Sequence, residues 1–269
     1  MKIRVVVMGA AGRMGRMLVS QVCGDDALEL VGAVEAPQCP FVGQDAGQVA
    51  GIGGSCGVVI TTDLRVALSK ADCVIDFTAA AVTRQMAPVA AEMGVSMVIG
   101  STGLTAEDQS LLADLAAKGA RIVQSPNMSV GVNLLFALSR KVASLLGEDY
   151  DIEVVEMHHN QKKDAPSGTA EKLGQILAEA RGLSYDKDVR HGRVGMVGAR
   201  PKNEIGMHAL RGGDVVGDHT VIFATNGERI ELTHKASSRQ TFANGAIRAV
   251  KFLASAKPGK YDMQQVLGL

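Results

Sequence analysis

The stretch from Lys2 to Cys23, KIRVVVMGAAGRMGRMLVSQVC, admits few folds. Val5 to Met8 are apolar without interruption, which fits a strand buried on both faces better than one with a face in water. Gly9, Gly12 and Gly15 follow at every third position, and a helix-like segment runs from Arg13 to about Cys23. A strand that passes through a tight glycine turn straight into a helix begins a β-α-β unit. The helix carries the chain back, and the next strand is laid parallel to the first.

That next strand reads as LELVGAVE, and similar runs recur at GVVIT, DCVIDFT, VSMVIGS and ARIVQS. Helical patterns lie between most of them, for example Val82 to Met93 and Ala106 to Ala117. The alternation predicts an α/β fold whose parallel sheet is covered on both faces. After about Ser129 the pattern changes. VGVNLLFALSRKVASLLG reads as a long amphipathic helix with Leu134, Leu135, Leu138, Val142, Leu145 and Leu146 as its apolar residues. A strand (YDIEVVEMHH), a helix (Ser167 to Arg181), a Gly- and Arg-rich stretch to about Gly198 and strands around HTVIFATNGERIELTHKA follow. Asn226-Gly227 signals a hairpin with positive φ at both central positions. Together these suggest a smaller α+β domain with a mainly antiparallel layer. A last helix, about Gln240 to Ala254, is expected to return to the first domain, so the expected division is 1–129 completed by 240–269, and 130–239. The Gly-rich segment Ala46 to Gly57 reads as a mobile surface loop.

Charge and cysteine usage narrow the function classes. Lys and Arg together number 28, as do Asp and Glu, so no overall field draws the chain to nucleic acid or an anionic membrane. Cys23, Cys39, Cys56 and Cys73 have no C-x-x-C spacing and read as reduced, mostly buried thiols of a cytoplasmic protein. The apolar part of MKIRVVVMGAAG is too short for a signal peptide, and no apolar stretch near ~20 residues suggests a membrane span.

The glycine loop has a chemical reading. At a strand-to-helix turn, absent side chains allow a pyrophosphate to approach the backbone, and the helix N-terminus offers N–H groups and positive potential. The spacing is G-x-x-G-x-x-G rather than G-x-G-x-x-G, but its context supports a dinucleotide site. Glu35 ends the second strand twenty residues beyond Gly15, where a carboxylate can accept hydrogen bonds from the ribose hydroxyls of NAD. Ala36 follows it, not a basic residue able to hold a 2′-phosphate, which favours NADH over NADPH. GSTG (Gly100 to Gly103) and SPNMS (Ser125 to Ser129) also end strands, where ligands of doubly wound sheets bind.

A second chemical cluster lies in EMHHNQKKDAPSGTA, Glu156 to Ala170. Neighbouring residues of a strand point to opposite faces, so His158 and His159 are poorly placed to share a metal ion, and no metal site is expected. Acid–base chemistry suits a histidine better. Pro166 and Ser167 mark a helix start with Ser167 as N-cap, which sets Gly168 and Thr169 in a first turn suited to an anion. Lys162 and the histidines add the charge that a helix end alone lacks. Lys163 reads as a solvated residue.

In GAAGRMG, DFT, SPNMSVGVN, EMHHNQKKDAPSGTA, RGGDVVGDHTV and HKASSRQTFANGA, in that order, the chain resembles the 4-hydroxy-tetrahydrodipicolinate reductase (dihydrodipicolinate reductase) family of bacterial lysine biosynthesis. The resemblance covers essentially the whole chain. It implies a Rossmann-like dinucleotide-binding domain, a middle domain that binds a cyclic dicarboxylate and builds a homotetramer through its sheet, and reduction with loss of water by NADH, with NADPH possible. Carried over by position, it implies His158 as proton donor and acceptor, Lys162 as second donor, and His159, Gly168 and Thr169 as substrate binders. For the cofactor it implies Gly9, Ala10, Ala11, Gly12, Arg13, Met14, Glu35, Gly100, Ser101, Thr102, Ser125, Pro126, Asn127 and Met128. The chain departs from the family's pattern in Ser101 for threonine, Met128 for a frequent phenylalanine and Ala36 for a basic residue. Arg239 and Phe242 also match the family and receive no firm role.

Overall fold

The computed structural model describes residues 2–269. Along the chain, β1 (Ile3–Met8), α1 (Arg13–Gly24), β2 (Leu28–Val34), α2 (Ala46–Ala50), β3 (Ile60–Thr61), α3 (Leu64–Leu68), β4 (Cys73–Asp76), α4 (Ala80–Glu92), β5 (Ser96–Ile99), α5 (Ala106–Ala117) and β6 (Arg121–Gln124) alternate. Then come α6 (Val130–Leu146), β7 (Asp151–His158), α7 (Gly168–Ala180), α8 (Tyr185–Asp188), β8 (Val189–His191), β9 (Ile205–Arg211), β10 (Gly217–Thr225) and β11 (Glu228–Ala236). α9 (Gln240–Leu253), β12 (Gly259–Tyr261) and α10 (Met263–Leu267) close the chain. Two compact units result, one reaching to Val130 and taking in Gln240–Leu269, the other Gly131–Arg239.

The first unit holds a seven-stranded sheet in the order β12-β6-β5-β4-β1-β2-β3, parallel throughout. Its strands are short and apolar because both faces are covered. Val5 and Val7 pack with side chains of α1, α9 and α10, while Val6 and Met8 pack with those of α3, α4 and α5. Burying each such side chain is worth about 1.5–3 kcal/mol, so the unbroken valine run commits β1 to the centre. Strand order reverses between β1 and β4, and the C-terminal ends at that switch form the crevice where such sheets take ligands.

The second unit is a five-stranded sheet, β11-β10-β7-β9-β8. β10 pairs antiparallel with β11 and β7, but β7 with β9 and β8 with β9 are parallel. The layer is therefore mixed, not mainly antiparallel. The crossover through α7 returns the chain in its original direction, so β8 and β9 run alongside β7. Ile152 and Val154 of β7, Val221 and Phe223 of β10, and side chains of α6 and α7 make one core. The other face carries Val155, Met157 and Ile222, half-buried, and Leu210, exposed.

Some local expectations are corrected. The buried side of α6 carries Val132, Leu135, Phe136, Ser139 and Ala143, whereas Leu134, Leu138 and Leu145 are exposed. That helix is apolar nearly all round, so periodicity did not select the packed stripe. Val130–Asp149 is also long and apolar enough to cross a membrane by length and composition, with mean hydropathy 1.3, yet its packed side chains belong to the second core. In the hairpin turn only Gly227 takes positive φ (94°), and Asn226 does not. Cys73 alone of the cysteines is buried, and burial pushes its thiol upward. The segment Ala46 to Gly57 is closed on Asp45, whose carboxylate accepts from the N–H groups of Gln48, Cys56 and Gly57 and from the Ser55 hydroxyl.

Candidate active site

The glycine loop leaves β1 at the strand switch. Gly9 has φ 62°, a region that favours glycine, and a Cβ there would lie 2.8 Å from Thr78 Cγ2 of the loop after β4. A Cβ on Gly15 would lie 1.9 Å from the Gly9 carbonyl oxygen, so only glycine lets α1 pack so close to the turn. No side chain caps α1, whose N-cap is Gly12. Its first N–H groups are thus left without a side-chain cap and available to an anionic ligand. Arg16 braces the loop by donating from Nε to the Ala11 carbonyl at 2.7 Å, with its guanidinium 4.8 Å from the Phe41 ring centre.

Glu35 is tied to this loop. Its Oε1 accepts from Ala11 N at 2.9 Å and its Oε2 from Ala36 N at 3.1 Å, which orients the carboxylate and leaves it further acceptor capacity. Beside it opens a cleft of about 390 Å³ lined by Gly9, Glu35, Ala36, Thr78, Leu64 and Met86 among others, with no Lys or Arg among its lining residues. The loops after β4, β5 and β6 are stitched in series, Gly100 N to the Asp76 carbonyl at 2.8 Å and Ser125 N to the Ile99 carbonyl at 3.2 Å. The Asp76 carboxylate, fully buried, accepts from the Thr78 N–H and hydroxyl and from the Thr83 hydroxyl. The Ser101 hydroxyl is buried without a partner among the described residues, an orphan that a ligand can satisfy. Ala10 and Met128 are buried in the core, so only their backbone is available to a ligand. Arg13, Thr102 and Pro126 are exposed, and Gly12 with them, while Met14 and Asn127 are half-buried. An uncapped helix behind a glycine cradle and a fixed carboxylate beside a cleft fit a dinucleotide.

The second cluster is built at the C-terminal end of β7. Period-2 alternation puts Glu156 and His158 on the same, helix-covered face. Both are buried, and His158 Nδ1 lies 2.7 Å from Glu156 Oε2. Arg211, at the end of β9, reaches the same carboxylate through both terminal nitrogens at 2.8 and 2.9 Å. Ser167 N donates to Glu156 Oε1 at 3.0 Å, and the Ser167 hydroxyl caps α7 by accepting from Ala170 N. Burial works to raise the Glu156 carboxyl, but the His158, Arg211 and Ser167 donors outweigh it and hold it down at about 2. His219 lies against His158, ring centres 5.2 Å apart, with its Nε2 3.1 Å from the Ser167 hydroxyl. Burial, helped by charge on His158, pushes His219 down to about 3, so it is neutral near pH 7.

The turn that follows carries the remaining residues. His159 N bonds to the Val215 carbonyl and Asn160 N to the Gly213 carbonyl, which docks HHNQKK on RGGDVVG. Lys162 Nζ pairs with Asp164 Oδ2 at 2.9 Å, and that partner is exposed, so the lysine can exchange it for a ligand at small cost. Lys163 is exposed. Gly168 and Thr169 open α7, exposed and half-buried respectively. Lys162, the buried His158 and the start of α7 thus all belong to one unit.

Two family models describe the chain: "Dihydrodipicolinate reductase, N-terminus" over residues 3–128 and "Dihydrodipicolinate reductase, C-terminus" over residues 131–267. The chain belongs to the dihydrodipicolinate reductase family. Curated 4-hydroxy-tetrahydrodipicolinate reductases from Anaeromyxobacter sp. (strain Fw109-5) and Citrifermentans bemidjiense are 52% and 49% identical over 267 residues. The alignments cover 99% of this chain and 98% and 99% of theirs. The solved, dipicolinate-bound dihydrodipicolinate reductase from Paenisporosarcina sp. TG-14 superposes with a TM-score of 0.77 at 27% identity, covering 98% of this chain and 99% of that one.

Within that family frame, sequence reasoning missed Glu156, Arg211, Ser167 as a Glu156 donor, His219, Thr78 and Arg16. Glu156 had a signal, since it stands two residues before His158 and a carboxylate on a buried strand face needs partners. Arg211 opens the motif RGGDVVGDHTV, but nothing in the sequence joined it to Glu156, from which 55 residues separate it.

Proposed function

We propose that His158 and Lys162 supply protons in the reduction of 4-hydroxy-tetrahydrodipicolinate, the reaction of the nicotinamide-dependent oxidoreductase family to which this chain belongs. The product is tetrahydrodipicolinate, formed with loss of water, on the diaminopimelate route to lysine. The observation that carries the assignment is the buried His158 beside an ionised Glu156, within the same short segment as Lys162 and the start of α7.

A bound nicotinamide dinucleotide supplies hydride; everything else falls to the chain. Gly9 to Met14, Glu35, Gly100 to Thr102 and Ser125 to Met128 hold the dinucleotide, through backbone where their side chains are buried. Gly168, Thr169 and His159 hold one carboxylate of the cyclic dianion, and Lys162 leaves Asp164 to neutralise charge. A conjugated cyclic imine accepts hydride more readily as its nitrogen or developing enamine is protonated, so a proton held at His158 Nε2 or Lys162 Nζ lowers the barrier. NADH is the preferred cofactor, because Glu35 repels a 2′-phosphate and no cation lines its cleft. The open face of the second sheet, with Val155, Met157, Ile222 and exposed Leu210, serves as the contact of a cytoplasmic homotetramer.

The test follows NADH absorbance while substrate is generated in situ from pyruvate and aspartate semialdehyde by its synthase, with NADPH in a parallel cuvette. Synthase-dependent oxidation, faster with NADH, is expected. Cofactor binding without oxidation contradicts the activity, and equal rates contradict the NADH preference.

A further inference from the structure

His158 can exchange protons only if its two ring nitrogens are held in distinct states, and the geometry around Glu156 decides which is which. All four acceptor directions of that fully buried carboxylate are used: Oε1 by Ser167 N and one Arg211 nitrogen, Oε2 by the other Arg211 nitrogen and by His158 Nδ1. An ionised carboxylate only accepts, so the 2.7 Å contact requires the proton on Nδ1. Nε2 is then the atom that gains and loses the reactive proton. It lies over Gly217, where a Cβ would come within 2.9 Å of it, so glycine at the start of β10 keeps that atom uncovered.

We propose that Glu156 is the positioning residue of the proton donor, fixing His158 as the Nδ1–H form and stabilising its imidazolium, while Arg211 keeps Glu156 ionised. The proposal rests on the reading of His158 as proton donor. The bidentate Arg211 pair keeps the shared proton on the imidazole rather than on the carboxylate, the division of labour seen in buried carboxylate–histidine pairs that drive acid–base chemistry. Arg211 also donates to the Asp164 carbonyl at 2.6 Å, and Asp164 pairs with Lys162, so one guanidinium braces both proton carriers. Other titratable groups of this cluster are His159, Lys162 and Asp164 in the turn after β7, His219 on β10, whose ring lies against His158, and His234 on β11, opposite His219. His219 and His234 are held toward their neutral forms and so add no positive charge to compete with His158 for Glu156.

The direct test needs no change at Glu156. Long-range ¹H–¹⁵N correlation on the full chain with ¹⁵N-labelled histidine, assigned by loss of the signal in His158→Ala, reports which nitrogen carries the proton above the histidine's titration. The Nδ1–H pattern is expected, and an Nε2–H pattern overturns the proposal. In kinetics, Glu156→Gln is expected to lower kcat by roughly 10²–10⁴-fold and to shift the histidine limb of the pH profile downward. NADH affinity should be unchanged, and Glu156→Asp should recover part of the rate. A folded Glu156→Gln enzyme with the wild-type pH profile overturns the proposal; if that variant does not fold, the tautomer decides. Full turnover by His158→Ala refutes the donor assignment itself, whereas an inactive His158→Ala beside an unaltered Glu156→Gln profile refutes only the role of Glu156.

Discussion

The two candidate sites are made of different material. In the first unit the site is mostly backbone, beside the Glu35 carboxylate: a positive-φ glycine, a helix without a side-chain cap, and a glycine whose missing Cβ leaves room for the Gly9 carbonyl. In the second it is side chain: a buried carboxylate saturated by a histidine, an arginine and a serine N–H drawn from three parts of the chain. The contrast teaches that a surface for a flexible dinucleotide is shaped by removing atoms, whereas a proton donor needs charges fixed in place. The first tolerates many side chains but no added methyl. The second fails when one partner is lost.

Arg211→Met should break the contrast hardest. It leaves Glu156 buried without its main counter-charge, which typically costs about 3–5 kcal/mol. Urea denaturation should register that loss while NADH affinity at 25 °C stays at the wild-type value; a loss below about 1 kcal/mol would show that the carboxylate needs no such partner. Gly15→Ala acts on the other unit. The added methyl must displace the Gly9 carbonyl, overpacking that typically costs about 1–3 kcal/mol, and calorimetry should find NADH bound tenfold to a hundredfold more weakly. Undiminished binding would deny the glycine cradle its role.

Acid should weaken the second unit in two stages. The His219 imidazole is held below its ordinary value, so the unfolded chain takes up protons first, and stability present above about pH 6.5 declines as pH falls toward 3. Glu156 and Glu153 are both held at about 2 by their cationic partners against burial, so their contribution, full above about pH 4.5, is lost between there and pH 2. A melting-temperature series should therefore fall from pH 7 to 5 and more steeply below 4.5; a flat profile across both windows would contradict these charge states. The smallest effect is expected of Ala36→Arg, which should raise the ratio of NADPH to NADH use about tenfold, or ~1.4 kcal/mol. An unchanged ratio would remove Glu35 and Ala36 from the specificity argument.

How far the sequence could be read follows the same division. The fold class was legible because Val5 to Met8 and its counterparts must be buried on both faces, and because glycines that shape a backbone lie next to one another in the chain. The parallel half of the second sheet was not, since pairing of β7 with β9 joins residues about fifty apart and the intervening Gly- and Arg-rich stretch has no period. The packed stripe of α6 escaped because leucines line its exposed side as well. His158 and Lys162 stood out by residue type and spacing. Arg211, which completes the charge network around His158, lay in the motif RGGDVVGDHTV, but nothing local tied it to Glu156.

The account stands most directly on one preparation of His158→Ala, in which NADH affinity and substrate-dependent NADH oxidation are measured side by side. The expected result is wild-type NADH affinity with turnover reduced by roughly 10²–10⁴-fold. Turnover near the wild-type rate, or NADH binding lost together with activity, would contradict the division of labour between a backbone-built cofactor site and a charge-built proton donor.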